Sequence, residues 1–172
     1  MALLKYYQIN GGYVLEQFLR HFLISVYGVL FAAMVAIPIG FFIARHNRLA
    51  GWVISLANII QTIPSLAMLS LLMVGMGLGA GTVVMTVFLY SMLPILKNTY
   101  TAVSNVDKNL SDVAKGVGMT RNQIRFKVEI PLSLSVIMAG IRNAIVIAIG
   151  ITAIGTFIGA GGLGDIISRG IN

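Results

Sequence analysis

The sequence predicts an all-α integral membrane protein, a polytopic helical bundle with two short helices in a cytoplasmic loop. Three observations predict it. Hydrophobic residues make up 58% of the 172 and charged residues only 10%, and mean hydropathy is +0.92, outside the range of soluble globular domains. Uncharged runs extend from Phe22 to Ala44, from Leu49 to Leu96 and, interrupted only by Arg142, from Leu132 to Ile158, each long enough to cross a bilayer. The basic residues gather between those runs, so the net charge of +7 reads as membrane topology and not as affinity for nucleic acid. At this length one compact unit is expected. The chain has no cysteine, which excludes disulfides and thiolate metal centres.

Residues 1–21 carry Lys5, Glu16 and Arg20, lack a signal-peptide core, and are expected to form an external N-terminal segment. Residues 22–172 form the transmembrane domain. The first run, 22–44, is too long for a signal peptide and reads as a permanent span. Within it Gly28, Ala32, Ala36 and Gly40 recur every fourth residue, a stripe that admits another helix at close range, from this chain or from a second copy. Gly155 and Gly159 repeat the spacing. After Arg45-His46-Asn47-Arg48, the run from Leu49 to Leu96 exceeds one span, and the glycines from Gly75 to Gly81 supply a turn. Spans over 49–74 and 80–103 follow, with Lys97 snorkelling toward the interface. In the former, Ser55, Asn58, Thr62 and Ser65 share a face, with Gln61 beside it and Pro64 removing a backbone donor. Polar groups are costly against lipid, so this face is expected to look inward, as glue between helices or as the wall of a solute path. The last span covers 132–158. Its Arg142 is a structural pair, a snorkelling cation or a contact for a solute carboxylate.

Arg45, His46 and Arg48 flank one turn, and Lys97, Lys108, Lys115, Arg121, Arg125 and Lys127 populate the long loop, whereas the other side and the ends hold Lys5, Arg20 and Arg169. The positive-inside rule puts the basic loops in the cytoplasm and the N-terminus outside. In the cytoplasmic segment 104–131, Asp107 suits a helix N-cap. Leu110, Val113, Ala114 and Val117 form one apolar face, and Gly118 suits a left-handed helix end. Thr120 and Gln123 make a capping box for a second helix from Arg121 to Val128, closed by Pro131. Two short helices meeting at a glycine make a rigid knob below the membrane; the alternative is an amphipathic loop resting on anionic lipid.

The same segment reads Asp112-Val113-Ala114, three residues, Gly118, nine residues, Val128, one residue, Ile130-Pro131. It resembles the signature of bacterial ABC-importer permeases, Glu-Ala-Ala-x3-Gly-x9-Ile-x-Leu-Pro, with Gly118 and Pro131 matching outright and Asp112, Val113, Val128 and Ile130 as conservative departures. The resemblance implies that Asp112, Ala114, Gly118, Val128, Ile130 and Pro131, with the apolar Leu110, Val113 and Val117, make this knob a pair of coupling helices pressed into a separate ATPase subunit. The runs Gln61–Leu66, Leu93–Tyr100, Ile137–Arg142 and Gly159–Asp165 are similar to permeases for quaternary-amine osmoprotectants. That likeness implies import of glycine betaine, carnitine or choline across the bacterial cell membrane, an external substrate-binding protein, and a second permease copy, identical or related. It also implies the methionine-permease-like fold, in which a fifth span is expected after residue 172. Beside the resemblance, the polar residues themselves make Asn58, Gln61, Thr62 and Ser65 the candidate substrate path, with helix–helix packing as the competing reading.

Other readings are weaker. Gly159-x-Gly161-x-x-Gly164 formally matches a dinucleotide fingerprint but follows an apolar helix and not a strand; a flexible external re-entry is expected there. No Gly-x4-Gly-Lys-Ser/Thr occurs, so ATP hydrolysis is expected on a partner. His21 and His46 stand apart at span ends, and no paired carboxylates or Ser/His/Asp set supports enzyme chemistry, so neither cofactor nor metal is expected. A stand-alone secondary transporter or channel would need acidic groups in the membrane or repeated halves, and all five acidic residues lie outside the expected spans. A structural scaffold would leave the knob without a purpose. Other small solutes carried by ABC permeases remain alternatives to the quaternary amines.

Overall fold

The computed structural model describes residues 2–171, and these hold helices α1 (Ala2–Ile43), α2 (Asn47–Thr62), α3 (Ser65–Met76), α4 (Ala80–Ser104), α5 (Lys108–Gly116), α6 (Arg121–Ile124), α7 (Ile130–Ile154) and α8 (Leu163–Ile171). No strand occurs among the described residues. Three stretches, Tyr6–Ile43, Ala80–Ser104 and Arg121–Ile158, are long and apolar enough to cross a membrane as single helices, and α2 with α3 forms a bent fourth candidate. The fifth span expected beyond residue 172 lies outside the described residues.

Residues 2–21 of the segment expected to be external are helical and belong to α1, which runs unbroken to Ile43. Gly11 and Gly12 cost a helix roughly 1 kcal/mol each, but packing against α8 offsets this: Gln17 and His21 are buried on that side. The apolar stretch from Tyr6 is 38 residues, so at ~1.5 Å per residue it outruns the ~30 Å of hydrocarbon and projects from it.

A straight span over 49–74 is not what forms. The chain bends by 95° between α2 and α3, where Ile63 is extended (φ −71°, ψ 128°) ahead of Pro64, the conformation a residue before proline is forced toward. The break is held by α4. Pro94 lies inside α4 and has no N–H for the carbonyl of Tyr90 four residues earlier. The Gln61 side-chain amide donates to that carbonyl at 2.8 Å, and the Tyr90 hydroxyl in turn donates to the carbonyl of Ile63. Each proline-disrupted segment thus receives a partner from the other.

Helix α4 lies between α1 and α7. The small-residue stripe is spent on this packing within the chain: Ala32 and Ala36 are fully buried, a Cβ on Gly28 would stand 2.4 Å from Val87, and one on Gly40 would stand 2.7 Å from Thr99. On the other side, Gly140 of α7 meets the Pro94 carbonyl (2.8 Å from a built Cβ) and Gly155 meets Val83 (2.6 Å). A Ser25–Thr152 hydroxyl pair at 2.9 Å joins α1 to α7.

The glycine-rich stretch after α7 is clasped and not a loose re-entry. Gly159, Gly161 and Gly162 take φ of 76°, 70° and 87°, a left-handed region open to glycine, and turn α8 back onto α1. Gly162 N–H donates to Gln17 Oε1 at 2.8 Å. Asp165 accepts from the Tyr13 hydroxyl and from Arg169 Nε (2.8 Å), and these two, Tyr13 foremost, hold its carboxyl below the usual range.

The latch between α2 and α4 generates a prediction. Tyr90→Phe and Gln61→Leu each leave a carbonyl unsatisfied and should each destabilise the solubilised protein by about 1–3 kcal/mol. Because the two bonds share one hinge, the double variant should lose less than the sum. Denaturant unfolding in detergent measures this, and strictly additive losses would show the bonds to be independent.

Candidate functional site

At one end of the bundle the chain builds a knob from α5 and α6. Asp107 Oδ1 accepts from Asn109 N–H at 2.9 Å, opening α5. At the other end Gly118 takes φ 84°, with Gly118 N–H donating to Lys115 (2.9 Å) and Met119 N–H to Ala114 (3.0 Å), a Schellman closure that satisfies the last carbonyls. Thr120 and Gln123 form the expected capping box, with side-chain to backbone bonds of 3.4 and 2.8 Å.

The second short helix does not stop at Pro131. Residues Arg125–Glu129 form a π turn, with Ile130 N–H bonded to Arg125, and the helix passes into α7 with Pro131 in its first turn. A proline there lacks the donor for the Lys127 carbonyl and its ring crowds it; widening the preceding turn by one residue accommodates both. The knob is therefore continuous with the shaft of α7. Arg45 at the end of α1 pairs with Glu129, which puts both basic loops at the same end, while Gly79 N–H bonds the Ile158 carbonyl (2.9 Å) at the opposite end.

The apolar face of the knob differs from the one expected. Leu110, Val113 and Val117 are exposed at 46%, 65% and 71%, but Ala114 is only 6% exposed, buried where α5 meets α6. Phe126, 70% exposed, adds to the apolar surface; its sequence signal is a lone aromatic between Arg125 and Lys127 in a basic loop. Asp112 is exposed and bonded to Lys115 at 2.8 Å. Val128 and Ile130 are half-buried and Pro131 exposed, on the shaft and apart from the α5 face.

The polar set on α2 and α3 does not look into this chain's core. Ser55, Asn58 and Thr62 are exposed, Gln61 and Ser65 half-buried, because Ala50 and Ala57 occupy the packed side of α2. The bend at Pro64 also separates Ser65 from the other three. Gln61 is engaged with Tyr90, and the Thr62 hydroxyl donates to Ile59 at 2.7 Å. Beside Gln61 opens a groove of about 430 Å³ lined by Leu93, Pro94, Lys97, Asn143, Val146 and Ile147. Lys97 and Asn143 were not singled out for a solute path by sequence, since nothing in their spacing places them across from Gln61. Arg142 is exposed, one residue from Asn143 and away from the buried Gly140 and Ala144, and forms no ion pair among the described residues.

Comparison with known proteins places this architecture. Residues 36–172 match the family described as "Binding-protein-dependent transport system inner membrane component". The chain is 67% identical over 170 residues to the carnitine transport permease protein OpuCD of Listeria monocytogenes, spanning 99% of this chain and 76% of that one. It is 64% identical over 167 residues to the glycine betaine/carnitine/choline transport system permease protein OpuCD of Bacillus subtilis, spanning 97% and 73%. An inward-facing structure of the MetNI methionine ABC transporter superposes with a TM-score of 0.77 at 21% identity, over 89% of this chain and 77% of that one, which shows a shared fold. The chain is thus a multi-pass inner-membrane protein, and it belongs to the family of membrane components of binding-protein-dependent transport systems.

Proposed function

We propose that this permease subunit imports a small quaternary-amine osmoprotectant (glycine betaine, carnitine or choline) by alternating access. A separate ATPase subunit docks on the knob, a second permease copy completes the path, and an external binding protein delivers the solute. The N-terminus is outside and the basic loops are cytoplasmic. The observation that carries this reading is the exposed apolar surface of Leu110, Val113, Val117 and Phe126 on the knob. Large apolar side chains left exposed on a basic loop that projects from the bundle mark a protein interface. The unbroken helix from α6 into α7 and the Arg45–Glu129 pair connect any displacement of that surface to α7 and α1. The solute class rests on the names of the relatives at 67% and 64% identity. A second copy is supported by the polar side of α2, which faces away from this chain's core, and by the three helices and one bent pair among the described residues.

Two tests follow. Nothing stands within 4 Å of a Cβ built on Gly118, so Gly118→Val acts through its φ of 84° alone, at about 1 kcal/mol or more. The strained knob should lose ATPase co-purification and solute uptake together at unchanged membrane abundance; normal uptake with normal docking refutes the coupling assignment. Second, single cysteines at Asn58, Thr62 and Ser65 of the assembled transporter should react with small aqueous thiol reagents faster than cysteines at Ile59 or Leu66. Equal labelling would assign the polar set to packing between helices and not to the path.

A further inference from the structure

The groove beside the latch contains a charge with no ion pair among the described residues. Lys97 stands on α4 among Leu93, Pro94, Val146 and Ile147, inside a membrane-spanning helix, and forms no ion pair among the described residues. A cation in that setting needs an anion or a route to water. The chain's acidic residues are committed elsewhere: Asp107 caps α5, Asp112 pairs with Lys115, Glu129 with Arg45, and Asp165 with Tyr13 and Arg169. Glu16 sits in the part of α1 that packs near α8, at the opposite end from the knob. An identical second copy would bring the same carboxylates at the same depths. Lys97 is exposed on α4, and a carboxylate on a visiting solute would supply the counter-charge it lacks among the described residues.

The other groups in the groove suit one kind of visitor. Asn143 offers an amide in the same groove as Lys97. Gln61 has committed its amide nitrogen to Tyr90 and keeps its carbonyl oxygen as an acceptor. The remaining walls are aliphatic and the lining includes no aromatic ring, so there is no cation–π cage to hold a bare quaternary ammonium tightly. We propose that Lys97 and Asn143 transiently bind the carboxylate end of a zwitterionic quaternary amine, whose methyl groups lie against Leu93, Val146 and Ile147. Lys97 then sets the preference of the pathway for carboxylate-bearing solutes over a cation that lacks one. This rests on the osmoprotectant reading above. Without a carboxylate to offset it, Lys97 repels a quaternary ammonium, so the same residue both admits one class and disfavours the other.

The test uses the whole transporter, with its ATPase and binding protein, reconstituted in vesicles or expressed in cells. Uptake of labelled glycine betaine or carnitine is compared with uptake of labelled choline. Lys97→Met should lower uptake of the carboxylate-bearing solutes by about tenfold or more, the effect of losing one charge-assisted hydrogen bond, while choline uptake is unchanged or raised. Lys97→Arg should restore the wild-type ratio. Where the wild type carries only carboxylate-bearing solutes, Lys97→Met should admit choline, and continued exclusion of choline overturns the proposal. A parallel loss of both solutes at equal membrane abundance shows a structural role and overturns it, as does an unchanged ratio, the result for a lysine that merely snorkels toward the cytoplasmic surface. A wild type that carries choline alone overturns it too. A wild type that carries no quaternary amine at all overturns the proposed solute class itself, and the Lys97 site with it.

Discussion

The shape of this subunit depends on two prolines that repair each other. Pro64 and Pro94 each remove a backbone donor from an apolar segment, where an unsatisfied carbonyl costs several kcal/mol in lipid (roughly 2–7). The Gln61 amide answers the carbonyl freed by Pro94, and the Tyr90 hydroxyl answers the carbonyl at the Pro64 break. This reciprocity permits the 95° bend between α2 and α3 without leaving the broken backbone bare. It also fixes α2 against α4 beside the groove that holds Lys97 and Asn143. A polar side chain that looks like a path residue is thereby first of all a structural bond.

Close packing divides the surface into inside and outside. The α1 stripe and Gly140 and Gly155 let α1, α4 and α7 approach so near that an added Cβ would overlap the neighbouring helix, and dispersion between closely packed helices is the main attraction available where the solvent is itself apolar. That core consumes the small residues. The faces left over carry exposed Ser55, Asn58, Thr62, Lys97 and Arg142, groups that lipid solvates poorly.

The knob is attached to this core as one body. A Schellman closure at Gly118, a capping box at Thr120 and a π turn before Pro131 together satisfy the backbone through every change of direction from α5 to α7. The result is a small apolar surface held at a defined angle and continuous with a membrane-crossing helix. The clasp at the far end, where glycines with positive φ wind α8 onto α1, fixes the other end of α7 in a similar way.

Much of this was legible in the sequence because its cause is local. The apolar helices follow from run length, the shared end of the two basic loops from their charge, and the caps of the knob from Asp107, Gly118, Thr120 and Gln123, whose side chains or φ act within a few residues. The resemblance to permeases likewise rested on contiguous motifs. What the sequence did not disclose depends on partners distant in the chain. The bend at Pro64 is stabilised from Tyr90, the N-terminal segment is helical because α8 lies against it, and Ala114 is buried where α5 meets α6. Continuity through Pro131 needed a π turn that no residue pattern specifies. The groove of Lys97, Asn143 and Gln61 exists only once α2, α4 and α7 have packed. Backbone satisfaction and run length are one-dimensional constraints and can be read along the chain; the choice of neighbour is three-dimensional, and only the packed helices decide it.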